Sequence, residues 1–156
     1  MSKQKSPSFE WFFWLQWTLV SAVGWLVGWL LGEIGVGLGV GLMQWLVLRP
    51  RVRQANWWIP ASAVGWAVGV VIVMTVFPPE TGPWAGATLG SSIGVGQALI
   101  LSYWGYRGAG WWVIISALGW AVGLGGVMGV SLVGAAAGAV TGLALELMVR
   151  TQIPKT

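Results

Sequence analysis

Trp17-Thr-Leu-Val-Ser21-Ala22-Val-Gly24-Trp25-Leu-Val-Gly28 returns twice further along the chain in almost the same letters. It comes back as Trp58-x3-Ser62-Ala63-Val-Gly65-Trp66-Ala-Val-Gly69 and as Trp112-x3-Ser116-Ala117-Leu-Gly119-Trp120-Ala-Val-Gly123. The shared frame, Trp-x3-Ser-Ala-[Val/Leu]-Gly-Trp-x2-Gly, marks a threefold internal repeat. In each copy Trp, Ser and Trp fall at i, i+4 and i+8, a spacing that puts them in one row on a helix. Beside that row run Gly24 and Gly28, Gly65 and Gly69, and Gly119 and Gly123, as a groove of small residues.

The segments between these copies repeat as well. Gly37-x3-Gly41-x2-Gln44-x3-Leu48, Gly90-x3-Gly94-x2-Gln97-x3-Leu101 and Gly134-x3-Gly138-x2-Thr141-x3-Leu145 share offsets that keep all four positions on one helical face. The unit is therefore a helical hairpin, over about residues 12–50, 57–107 and 111–150 of a single domain. Successive two-helix units keep the same orientation, so a compact pseudo-threefold bundle is the simplest arrangement.

Composition says what surrounds such a bundle. Mean hydropathy is +0.77, 56% of residues are hydrophobic and only 8% are charged, which does not describe a water-facing surface. A helix crossing the hydrocarbon core needs about 20 apolar residues, and most of the chain tiles into such segments. The expectation is an all-α integral membrane protein with six transmembrane helices: about Phe12 to Leu31, Ile34 to Leu48, Trp57 to Phe77, Trp84 to Tyr103, Trp111 to Gly129 and Val133 to Val149. The second is short for a bilayer, and local thinning would absorb the mismatch. The opening segment has the outline of a signal peptide, but its Ser-Ala element recurs in mid-chain, so it reads as a retained helix. Ser8 and Asn56 are the expected N-caps, and Pro83 opens the fourth helix.

With six spans, all eight basic residues fall on one side of the membrane. These are Lys3, Lys5, Arg49, Arg51, Arg53, Arg107, Arg150 and Lys155, while Glu33 and Glu80 occupy the other side. The positive-inside rule then makes both termini cytoplasmic. Trp11, Trp14, Trp57, Trp58, Trp104, Trp111 and Trp112 read as an interfacial belt on that side, and Trp25, Trp66 and Trp120 as lying near the midplane.

Chemistry is scarce. With no Cys and no His, disulfides, thiol catalysis and the commonest zinc and general-base side chains are excluded. The alternating glycines from Gly35 to Gly41 lack the preceding strand and following Lys of a phosphate loop. No nucleophile, base and orienting group have convergent spacing, so no catalytic residues and no metal site are expected. The twelve Gly positions of the two row sets, Gly24, Gly28, Gly37, Gly41, Gly65, Gly69, Gly90, Gly94, Gly119, Gly123, Gly134 and Gly138, read as helix-packing surfaces, since helices in lipid associate where small residues let backbones approach. Gln44, Gln97 and Thr141 are equivalent polar positions. They suit hydrogen bonds between helices, an amide ligand to a chlorophyll magnesium, or the lining of a solute path. Glu146 reads as the i,i+4 partner of Arg150.

Gln44-Trp-Leu-Val-Leu-Arg49, followed by Trp57-Trp58 and Ala61-Ser62-Ala-Val-Gly65-Trp66-Ala-Val-Gly69, resembles a pattern in small, uncharacterised Trp/Gly-rich multi-pass membrane proteins of cyanobacteria and other bacteria. That resemblance implies a location in a bacterial plasma membrane or a thylakoid membrane, and brings no activity or ligand residues with it. The expected function is a non-enzymatic structural or scaffold role without a resident cofactor. Arg49, Arg51 and Arg53 would contact anionic lipid or a membrane-protein partner, without nucleic acid and without an obligate homo-oligomer. A pigment-binding accessory protein, holding carotenoid or chlorophyll, is the alternative; a small channel or transporter is a third.

Overall fold

In a computed structural model, which describes residues 9–77, 82–126 and 129–151, the chain is all helical. Six α-helices follow one another: α1 Trp11–Leu30, α2 Gly35–Leu48, α3 Trp58–Val76, α4 Gly82–Tyr103, α5 Trp111–Gly125 and α6 Val133–Thr151. Short 3-10 turns at Ala55–Trp57 and Val130–Leu132 lead into α3 and α6. Three helices, Trp11–Leu30, Ala55–Val76 and Gly82–Tyr103, are long and apolar enough to cross a membrane; the apolar stretches of the other three are shorter.

Helices α4 and α5 end at glycines. Helix α4 closes in a Schellman motif: Gly105 takes φ +85°, the Tyr106 N–H reaches Leu101 O at 3.0 Å and the Gly105 N–H reaches Ser102 O at 3.0 Å. Helix α5 stops at Gly125, short of the expected Gly129, because Gly126 turns extended with ψ 150°. Asn56 sits inside the 3-10 turn and does not cap α3, whose first turn has no side-chain cap. The residue at the start of α1 is Glu10, and the expected cap Ser8 lies outside the described residues.

Each helix packs on the next in sequence, and α6 packs on α1, so the six close into a ring. The Gly rows make these seams. In the odd helices they face the following helix: a Cβ built on Gly24 would lie 2.6 Å from Val40 Cα, and one on Gly65 2.6 Å from Ile93 Cα. In the even helices they face the next odd helix, Gly41 against Ser62, Gly94 against Ser116 and Gly138 against Ser21. Helix α2 carries small residues on two faces and uses both. Gly39 abuts Gly24 and Gly28 of α1, while Gly37 meets Ser62 and Trp66 of α3. Outside the ring, α1 exposes Leu15, Leu19, Val23, Leu26 and Leu30, and α3 exposes Val64, Val68 and Val71.

Candidate functional site

Trp, Ser and Trp of each copy point into the ring, so the equivalent residues meet on its axis in layers. Trp17, Trp58 and Trp112 form one triangle, with ring centroids 5.9, 6.5 and 5.9 Å apart in largely edge-to-face pairs. A second triangle, of Trp25, Trp66 and Trp120, has separations of 6.0, 5.5 and 5.0 Å. Quadrupole attraction favours such tilted contacts over face-to-face stacking.

The first triangle corrects the interfacial-belt expectation. Trp58 and Trp112 are 0% exposed, whereas Trp11, Trp57 and Trp111 stay on the outside. In the adjacent pairs Trp57-Trp58 and Trp111-Trp112, one helical step of 100° separates the outward indole from the inward one. In the second triangle the Trp66 indole donates to the Glu33 carbonyl in the turn after α1, at 2.7 Å.

Between the triangles lies a polar layer. Gln44 donates from Nε2 to Ser21 Oγ at 2.9 Å and accepts the Trp58 indole N–H on Oε1 at 2.9 Å. Gln97 repeats this one copy later, donating to Ser62 Oγ at 2.9 Å and accepting from Trp112 at 2.8 Å. Thr141 accepts the Trp17 indole at 3.1 Å and donates to Ala137 O of its own helix at 2.8 Å. Each polar residue thus receives an indole from the following copy, and Thr141, in the last copy, receives it from the first. All three are buried, as are Ser21, Ser62 and Ser116. Spacing alone indicated hydrogen bonds between helices but missed their partners, although Trp-x3-Ser had placed donor and acceptor one turn apart on one face.

Two cavities cap the axis. One, of about 290 Å³, is lined at the basic end by Glu10, Phe13, Arg51, Trp104, Tyr106 and Glu146 among others. Burial pushes the Tyr106 phenol above its ordinary value. The Glu146 carboxylate accepts the backbone N–H of Glu10 at 2.9 Å, tying the start of α1 to α6; the side chain of its expected partner Arg150 lies outside the described residues. The other cavity, of about 450 Å³, is lined by Trp25, Trp29, Trp66, Phe77 and, among the described carboxylates, Glu33. Arg49 and Arg53 are exposed at the basic end, with the Arg49 guanidinium 5.2 Å over the Trp45 ring. Arg51 lies 5.0 Å over Phe13 and donates to Val47 O at 2.7 Å. Among the described residues no cluster of His, Cys, Asp or Glu is placed to hold a metal ion. No family model, no curated protein and no solved structure matches this chain.

Proposed function

We propose that the chain is a non-enzymatic, multi-pass membrane protein built as three hairpins around a pseudo-threefold axis. Its role is structural: a rigid scaffold inserted in the bilayer, presenting a basic cytoplasmic face to anionic lipid or to a membrane-protein partner. The observation that carries this reading is the inversion of the molecule. The six tryptophans of the two triangles, Ser21, Ser62, Ser116, Gln44 and Gln97 sit inside, while leucine and valine cover much of the outside, a surface suited to lipid tails rather than water. Ion pairing between helices is not needed to hold such a bundle, because close backbone seams and a few internal polar bonds supply the packing.

The same seams weigh against a pigment. Each Gly row receives a neighbouring helix, and the Gln44 and Gln97 amides are engaged by Ser and Trp. Two Trp triangles across the axis weigh against an open pore. With its rows occupied, the ring leaves little small-residue surface for self-association, which favours a monomer.

Reporter fusions after Gln54 and after Glu80 test insertion, with opposite sidedness expected. Protein purified in mild detergent from its native host should be colourless. Fusions on the same side would refute the membrane topology; stoichiometric pigment would refute the scaffold role.

A further inference from the structure

The polar layer is complete in two copies and incomplete in the third. In the first two, one carboxamide does two things: its oxygen takes an indole N–H from the following copy, and its nitrogen donates to the serine of its own copy. Thr141 does only the first. Its hydroxyl sits nearer the backbone than a glutamine amide and spends its proton on Ala137 O. Ser116, the serine of that copy, is 1% exposed, and its Oγ has no hydrogen-bond partner among the described residues. Beside it is a cavity of about 10 Å³, lined by Ser116, Thr141, Gln44 and Gln97 together with Ile93 and Ala137 among others.

Buried waters occupy polar cavities of about 10–15 Å³ or more that offer two to four partners, while cavities that stay dry are apolar. This one is polar and has room for one water, not two. We propose that it is a built site for a single water molecule, which together with Thr141 takes the place of the glutamine amide in the third copy. The hydrogen-bonding inventory balances. Thr141 Oγ1 accepts from Trp17 and donates to Ala137, which leaves one lone pair for a water proton. The Ser116 hydroxyl can donate to the water oxygen or accept its second proton. The site is specific for a small neutral group that both donates and accepts. An ion would lose its hydration without a compensating charge in the layer.

The test uses the full chain in detergent or nanodiscs. A density map that resolves buried waters, or water–protein nuclear Overhauser effects, should place one ordered water within hydrogen-bond reach of Ser116 Oγ and Thr141 Oγ1. In Thr141→Gln the water should be gone, with Tm equal to or above wild type. Ser116→Ala should lower Tm, in the same direction as Ser62→Ala, because a made hydrogen bond is lost. A map that shows other buried waters but none here would overturn the proposal, as would a rise in Tm for Ser116→Ala, the signature of deleting an unpartnered hydroxyl. If Thr141→Gln fails to fold, the wild-type water and the sign of the Ser116→Ala shift decide the matter alone.

Discussion

The seam between α1 and α2 and the seam between α5 and α6 are built from the same sequence frame, yet they close to different depths. At the first, a Cβ on Gly24 would lie 2.6 Å from Val40 Cα and 2.8 Å from Gly39 O, all backbone that cannot swing aside. At the second, a Cβ on Gly119 would meet Ala137 O at 3.2 Å and Val140 Cβ at 3.4 Å, a tight fit that a shift of a few tenths of an ångström relieves, although the seam narrows to 2.8 Å between Gly123 and Val133 O. The position equivalent to Gly39 is Ala136 in the last copy. In the middle copy that position is Ser92, and a Cβ on Gly65 still comes within 2.6 Å of Ile93 Cα, so the residue there does not by itself set the depth. The third copy is also the one in which Thr replaces Gln. Its departures from the repeat thus fall together, in packing and in polar bonding.

The largest expected effect tests that difference in depth. Gly24→Ala forces two backbones apart and should cost about 3 kcal/mol in detergent unfolding. Gly119→Ala should stay within about 1 kcal/mol, since a small clash is offset by the gain in helix propensity. Equal losses would mean that the two seams are equally tight.

Next come the polar positions. Gln44→Leu or Gln97→Leu leaves both an indole N–H and a serine hydroxyl without a partner, at about 1–3 kcal/mol. Thr141→Val removes one acceptor and should cost about 1 kcal/mol or less, the scale of single polar contacts between helices in lipid. A Thr141→Val loss as large as that of Gln97→Leu would erase the distinction between the copies.

The loops differ in the same sense: three arginines follow α2, and Arg107 alone lies between α4 and α5. Removing Arg49 and Arg53 together, as Arg49→Gln and Arg53→Gln, should weaken retention of anionic lipid by about 1 kcal/mol each. Arg107→Gln should remove less than the pair. Native mass spectrometry with defined anionic lipid reads this out, and identical retention in all variants would discount the basic face.

Smallest is the pH effect at Tyr106, at the entrance to the third copy. Its phenol is held above its ordinary value of 10.0 by burial, so the unfolded chain releases that proton first as pH rises. Stability is full below pH 10 and declines above it. In Tyr106→Phe the alkaline decline should be shallower; an unchanged slope would place its origin elsewhere.

Much of this was legible in residue order. The frame Trp-x3-Ser-Ala-x-Gly-Trp-x2-Gly marks helices and their shared faces, because helical periodicity is local and survives without knowledge of partners. It also marked Gln44, Gln97 and Thr141 as equivalent. What periodicity cannot state is which face meets which. Trp57 and Trp58 are neighbours in sequence with the same composition, and only the closed ring sends the second inward. Gly35 and Gly39 lie on a different face of α2 from Gly37 and Gly41, and the fold packs that face against α1. The bond from Trp17 to Thr141 joins residues 124 positions apart, and the incompleteness at Ser116 exists only because that ring closes on a threonine. Local spacing set the helices and their rows; pairing across the chain depends on every seam closing at once, and that was decided by the tertiary packing alone.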